Sequence, residues 1–204
     1  MKRFLSLVLT VALVVTAMLY LTSCGDDPEK ENAPELITKI TLTFSPAGGG
    51  DPIIVNAVDP DGEGPQDLAA EGPIELVEGV TYILSITLFN DLLAPGEEGY
   101  DLTEEILEEA DEHQFFFGFS NDVFSSPTGS GNIAPSTGSI NYEDEDANGL
   151  PVGLVTRWTT GAAQSDKFFR VMLKHLPEIK SATSTSADGE TDADVTFTLN
   201  INGI

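Results

Sequence analysis

The chain has 204 residues, with 34 Asp plus Glu against 9 Lys plus Arg, two histidines, one cysteine and a formal charge of −25 at pH 7. Nucleic acid and anionic lipid headgroups are polyanions, so this charge makes both unfavourable partners, and a single cysteine excludes an internal disulfide framework or a paired-cysteine zinc site. The length suits one domain and is enough to bury a substantial core.

The chain opens with Lys2 and Arg3, followed by an apolar run over 4–21 interrupted only by Ser6, Thr10 and Thr16. This is the pattern of a secretory signal. It ends in Leu21-Thr-Ser-Cys24, which resembles the lipobox of bacterial lipoproteins, in which the peptidase cuts before a cysteine already carrying lipid on its sulfur. Residues 1–23 are therefore predicted to be a lipoprotein signal peptide, and Cys24 the attachment point of acyl chains that fasten the protein to a membrane. An uncleaved helical anchor is the competing reading, since some 18 apolar residues nearly span a bilayer. Cleavage would leave 181 residues with seven bases against 34 acids, a formal charge of −27. Residues 24–35, nearly devoid of apolar side chains and holding two prolines, read as a flexible acidic tether. The acids just after Cys24 resemble signals that send some lipoproteins outward in certain Gram-negative lineages. The expected location is thus the bacterial outer membrane, facing the periplasm or the cell surface.

From 36 onward the hydrophobic period is mostly two, the mark of strands with one buried face. Leu36, Thr38, Ile40, Leu42 and Phe44 share one face of the first run. Further runs lie at 53–58, 74–77, 80–89, 114–120, 139–143, 152–160, 167–175 and 195–201, separated by turn dipeptides such as Asp61-Gly62, Glu78-Gly79 and Asn148-Gly149. Nine short strands at this spacing predict an all-β domain over 36–204, an antiparallel immunoglobulin-like β-sandwich.

Residues 101–113 depart from that period. Asp101 and Glu104 stand at capping-box spacing, and Leu102, Ile106 and Ala110 lie four apart, so a short acidic helix is predicted here. Glu105, Glu109 and His113 would form a second row at the same spacing. A helical Glu and His four apart suit one divalent metal, with imidazole favouring zinc or copper; the plainer alternative is a solvated acidic face. His175, the other histidine, closes the row Phe169, Val171, Leu173, and His113 opens the row Phe115, Phe117, Phe119. Both imidazoles are thus expected at the rim of the core. If the two strand ends share a pole, Glu109, His113 and His175 supply three ligands and leave one coordination position open.

Asp144, Asp146 and Asn148, followed by Gly149, match the first half of an EF-hand loop, but position twelve is Val155 and the flanks are strands. Asp59-Pro-Asp61-Gly-Glu63-Gly64 is a poorer copy. Calcium at either loop is the second cation expectation, weighed against the ordinary use of Asp and Gly in turns. Between Lys39 and Arg157 lie 23 acids and no Lys or Arg, a self-repulsion that divalent ions would screen.

No GxSxG elbow, P-loop, dinucleotide fingerprint or HExxH occurs, so the residues argue for binding rather than catalysis. The Cys24 lipobox, Ile37-Thr-Lys-Ile-Thr-Leu-Thr-Phe44, Glu108-Glu-Ala-Asp-Glu-His-Gln114, Trp158-Thr-Thr-Gly161, Leu173-Lys-His175 and Ala187-Asp-Gly-Glu-Thr-Asp192 together resemble a group of uncharacterised bacterial lipoproteins labelled type 1 periplasmic-binding-fold superfamily proteins. That resemblance implies a substrate-binding role. The combined expectation is a metal- or small-ligand-capturing lipoprotein, feeding an outer-membrane uptake receptor, with a calcium-stiffened adhesive or structural surface module as the alternative.

Overall fold

Residues 35–62 and 68–204 are described by a computed structural model. The expected signal peptide, Cys24, the tether up to residue 34, and Glu63 and Gly64 of the poorer acidic loop lie outside the described residues. Among the described residues there are ten strands and one helix: β1 (Lys39–Pro46), β2 (Ile53–Val58), β3 (Ala69–Ala70), β4 (Ile74–Val77), β5 (Thr81–Phe89), α1 (Leu102–Glu108), β6 (His113–Phe119), β7 (Phe124–Ser126), β8 (Val155–Thr160), β9 (Gln164–His175) and β10 (Glu190–Asn202). They form a six-stranded sheet in the order β3-β2-β1-β5-β8-β7 and a four-stranded sheet in the order β4-β10-β9-β6. The fold is all-β and sandwich-like, as the period-two pattern predicts.

Alternation decides which side chains meet between the sheets. Ile40, Leu42 and Phe44 of β1 and Tyr82, Leu84, Ile86 and Leu88 of β5 point inward from the first sheet. Phe115, Phe117 and Phe119 of β6, Phe169, Val171 and Leu173 of β9 and Val195, Phe197 and Leu199 of β10 oppose them. Trp158 lies at the centre, fully buried, with its ring centroid 4.8–5.5 Å from those of Phe117, Phe119, Phe124 and Phe169. Its indole N–H donates to Thr156 Oγ1 at 2.7 Å, so this large aromatic is buried without an orphaned donor.

The structure departs from the expected strand list: β3 and β7 are additional, β9 and β10 begin at 164 and 190 rather than at 167 and 195, and three further differences concern pairing and the β8 edge. β10 pairs with β4 in parallel, Leu199 opposite Ile74, so the sandwich is not purely antiparallel. Residues 139–143 shrink to a single antiparallel bridge, Tyr142 opposite Thr156, in which Glu143 N–H bonds the Val155 carbonyl and Arg157 N–H the Asn141 carbonyl, while β7 occupies the other end of the same β8 edge. β8 begins three residues later than the expected 152, because Gly153 takes a φ of 95° and its N–H turns to Asp144 Oδ1 at 2.9 Å. A Cβ at Gly153 would meet Phe115 Cβ at 2.8 Å, so this close approach requires glycine.

α1 is capped by Asp101, whose Oδ1 accepts from the Thr103 N–H at 3.0 Å. Leu102 and Ile106 are buried, and Thr103 Oγ1 accepts from the Leu88 N–H, which docks the helix on β5. No helix of the described residues is long and apolar enough to cross a membrane.

Candidate metal centre

The end of α1 is crowded with acids. Glu108, Glu109, Asp111 and Glu112 follow one another closely, and no base stands in the last turn. A helix ends on a partial negative charge, so these carboxylates oppose its extension. The helix stops at Glu108, Glu109 caps it, and the Glu112 N–H bonds back to the Glu109 carbonyl at 2.9 Å. This corrects the expected helical row of Glu105, Glu109 and His113. His113 is not on the helix; it is the first residue of β6.

The turn nevertheless delivers Glu109 and His113 to one place, and β9 delivers His175. His113 and His175 are register partners across the β6–β9 ladder, with rings stacked at a centroid distance of 4.6 Å and an interplanar angle of 5°. One ligand atom from each of Glu109, His113 and His175 lies within 4.8 Å of the others. Tetrahedral zinc about 2.1 Å from each ligand separates donor atoms by about 3.4 Å, so binding an ion would draw this trio together by little more than an ångström and would also tilt the two rings out of their parallel stack, since a ligating lone pair lies in the plane of its ring. Neither cysteine nor methionine belongs to the cluster, and a set of imidazoles and carboxylates suits zinc or copper(II) better than copper(I).

Hydrogen bonds assign the imidazole tautomers. His113 Nδ1 lies 3.2 Å from the Glu109 carbonyl, which can only accept, so in the neutral ring the proton sits on Nδ1 and the lone pair on Nε2. His175 Nε2 lies 3.3 Å from Glu112 Oε2, so its proton faces that carboxylate and leaves the lone pair on Nδ1. A partner behind each ring, carbonyl in one case and carboxylate in the other, is the arrangement that orients ligating histidines.

Charge around the pair is unbalanced. Burial pushes His113 down to about 4, and neighbouring His175 adds to that against the opposing Glu109 carbonyl, so the ring is neutral at pH 7. Asp192 is fully buried, and burial pushes its carboxyl up to about 6, with Glu190 adding to the shift and His175 and Lys174 opposing it. Half-buried Glu35 is pushed up to about 7 by burial and by Glu105, Asp192 and Glu109. A divalent cation in this neighbourhood would offset several mutually repelling carboxylates at once.

The structure places the second cation candidate differently. Asp144 Oδ1 and Oδ2 accept from the Gly153 and Val155 N–H groups, and Asp146 Oδ1 accepts from the N–H groups of Asn148 and Leu150. Asp146 Oδ2 stands 3.0 Å from Lys180 Nζ, an ion pair rather than an aligned hydrogen bond, with both side chains buried. Lys180 Nζ also donates to the Ala110 carbonyl at 2.6 Å, supplying near the end of α1 the cation that the helix itself lacks. Asn148 is exposed. The acids of this loop thus serve its backbone amides and a buried lysine. In the poorer copy, Asp59 Oδ1 accepts from the Asp61 and Gly62 N–H groups in the same manner.

Sequence reasoning missed Glu112, Asp192 and Glu35. Glu112 lay one residue before His113 in an acidic run and had no feature of its own. Glu35 was expected in the tether, whereas it is half-buried against the domain. Asp192 was hidden by a β-bulge: register between β10 and β9 shifts between Thr191 and Ala193, so Asp192 is buried next to Ala193, where strict alternation would turn it outward.

No family model, curated protein or solved structure matches the chain.

Proposed function

We propose that the chain is a lipid-anchored extracytoplasmic lipoprotein whose β-sandwich domain binds one divalent transition-metal ion, zinc or copper, and captures it for an outer-membrane uptake system. Glu109, His113 and His175 are the proposed ligands, and Cys24 the anchored residue. The observation that carries this reading is the meeting of the chain's only two histidines, stacked across β6 and β9, with a carboxylate whose ligand atom lies within 4.8 Å of theirs. Two independent features add support. Each imidazole has a hydrogen-bond partner that leaves one ring nitrogen available to an ion, and the surrounding acids give the site a net negative field that attracts cations.

Burial of the pair supports capture over catalysis. His113 is fully buried and His175 nearly so, which suits holding an ion more than presenting it to a substrate. Calorimetric titration with zinc and with copper(II), on protein stripped with chelator, tests the reading. One equivalent should bind tightly to the wild type, and a His113→Ala, His175→Ala double variant should lose that binding. Equal affinity in the two proteins would overturn it.

A further inference from the structure

We infer that Asp192 is a fourth ligand of this centre, so that the ion is held by two imidazoles and two carboxylates in a closed set with no position left for water or substrate. The inference rests on the metal reading above and changes its open three-ligand site into a sealed one.

Four observations carry it. Asp192 is 0 % exposed and neither of its carboxylate oxygens has a hydrogen-bond partner. Buried carboxylates are costly unless paired, hydrogen-bonded or bound to metal. The nearby ammonium of Lys174 is engaged elsewhere, donating to the Gly189 carbonyl and Thr191 Oγ1. The second orphan is His113 Nε2, also fully buried and without a hydrogen bond. With Nδ1 directed at the Glu109 carbonyl, Nε2 holds a lone pair, and it lies 3.6 Å from Asp192 Oδ2.

That distance discriminates between the ways two acceptors can face each other. A carboxylic acid donating its proton to Nε2 would approach to about 2.5–3.0 Å. Two ligands on one tetrahedral zinc stand about 3.4 Å apart, close to the separation found. The third observation is topological: β10, β9 and β6 are adjacent, so Asp192, His175 and His113 come from three neighbouring strands of one sheet, with Glu109 from the turn beside them; Asp192 touches the group through His113 and stands outside the 4.8 Å cluster of the other three ligand atoms, so binding must draw its carboxylate inward. The fourth is the bulge at Asp192, an irregularity of the kind that re-aims a side chain and here puts a carboxylate where alternation would not.

A closed, buried set of four protein ligands retains its ion. Release would then need the β6 and β10 ends to open, as a receptor docking at this pole could bring about.

The test uses the full-length chain, purified in chelator-free buffer, with cobalt(II) as the spectroscopic stand-in for zinc. The wild type should give the intense visible bands of four-coordinate cobalt, unchanged by added azide. Asp192→Asn should weaken zinc binding by more than the roughly 10–100-fold that losing a hydrogen-bond partner behind a ligand costs. Its cobalt complex should turn pale, as water enters, and should respond to azide. A circular-dichroism melt of apo Asp192→Asn checks that the variant is folded; if it is not, the wild-type cobalt spectrum and its indifference to azide decide alone. Weak bands or an azide response in the wild type would overturn the inference, as would an unchanged spectrum and affinity in a folded Asp192→Asn. Those outcomes leave the three-ligand site intact provided that the His113→Ala, His175→Ala variant loses binding. Absence of binding by the wild type would overturn both.

Discussion

His113 Nε2 faces Asp192 Oδ2 at 3.6 Å, both side chains wholly buried, with neither atom hydrogen-bonded to another protein group. On the proposed metal reading, these two facing acceptors mark where the cation is held. The local sequence supports this at every level: acids stop α1, a tight turn carries Glu109 to the start of β6, and a bulge brings Asp192 inward from β10.

Metal binding should release protons, and more of them in mild acid. Burial holds Asp192 near 6, so at pH 5.5 the carboxyl carries a proton that an incoming ion must displace, whereas at pH 8 it is largely ionised; nearby Glu35, held near 7, would lose protons to the ion's field in the same direction. His113, held near 4, contributes little at either pH. Zinc titrations in two buffers of different ionisation enthalpy should give a larger proton release at pH 5.5 than at pH 8. Equal release would contradict the assignment of Asp192 to the site.

Asp192→Asn should stabilise the metal-free protein at neutral pH. A carboxyl whose native value is about 6 and whose unfolded value is 3.8 favours folding below the lower figure, and that benefit is lost as pH rises through 6. The ionised wild-type group therefore carries a penalty at pH 7.5, and its removal should add about 1–3 kcal/mol to stability. Near pH 4.5 the native carboxyl is protonated and the advantage should shrink. His113 runs the other way, with a native value near 4 against 6.5, so its contribution is lost as pH falls through that window; it is common to both proteins. Urea unfolding in chelator at the two pH values measures the difference, with buried Trp158, the single tryptophan, as the fluorescence probe.

Lys180→Ala should destabilise the fold by about 3–5 kcal/mol, since it strands the buried carboxylate of Asp146 and frees the Ala110 carbonyl. A Lys180→Met, Asp146→Asn pair removes both charges together, keeps an oxygen to accept from the Asn148 and Leu150 N–H groups, and should recover much of that loss. Urea midpoints of the three proteins measure it. A Lys180→Ala midpoint matching the wild type would mean that the pair is solvated in solution.

On the proposed lipid anchor, Cys24→Ser should release the protein from the membrane fraction without detergent, because serine offers no thiol for acylation. Fractionation and intact-mass analysis follow the change. Detergent-dependent release persisting in the variant would favour an uncleaved helical anchor.

The inward rows were readable from alternation alone: Phe115, Phe117 and Phe119 with His113 at their head, and Phe169, Val171 and Leu173 with His175 at their end, are found on the buried face as the period of two requires. Because both histidines were the terminal members of buried rows, their meeting depended only on β6 and β9 being neighbours, which the sequence could not specify but did not oppose. What alternation could not supply were the irregularities. The bulge at Asp192 breaks parity, and segment 139–143 keeps only one bridge to β8 because Asp144 and Asp146, just after it, take the backbone amides of Gly153, Val155, Asn148 and Leu150. The helix was legible from its cap and apolar spacing, but the pattern ran past the point where charge at its C-terminal end stops it.

The central claim is that this domain holds one transition-metal ion between its two histidines. Elemental analysis of protein purified without chelators and without metal-affinity resin tests it most directly. About one equivalent of zinc or copper in the wild type, and none in the His113→Ala, His175→Ala variant, is the expected result. The same trace content in both would contradict it.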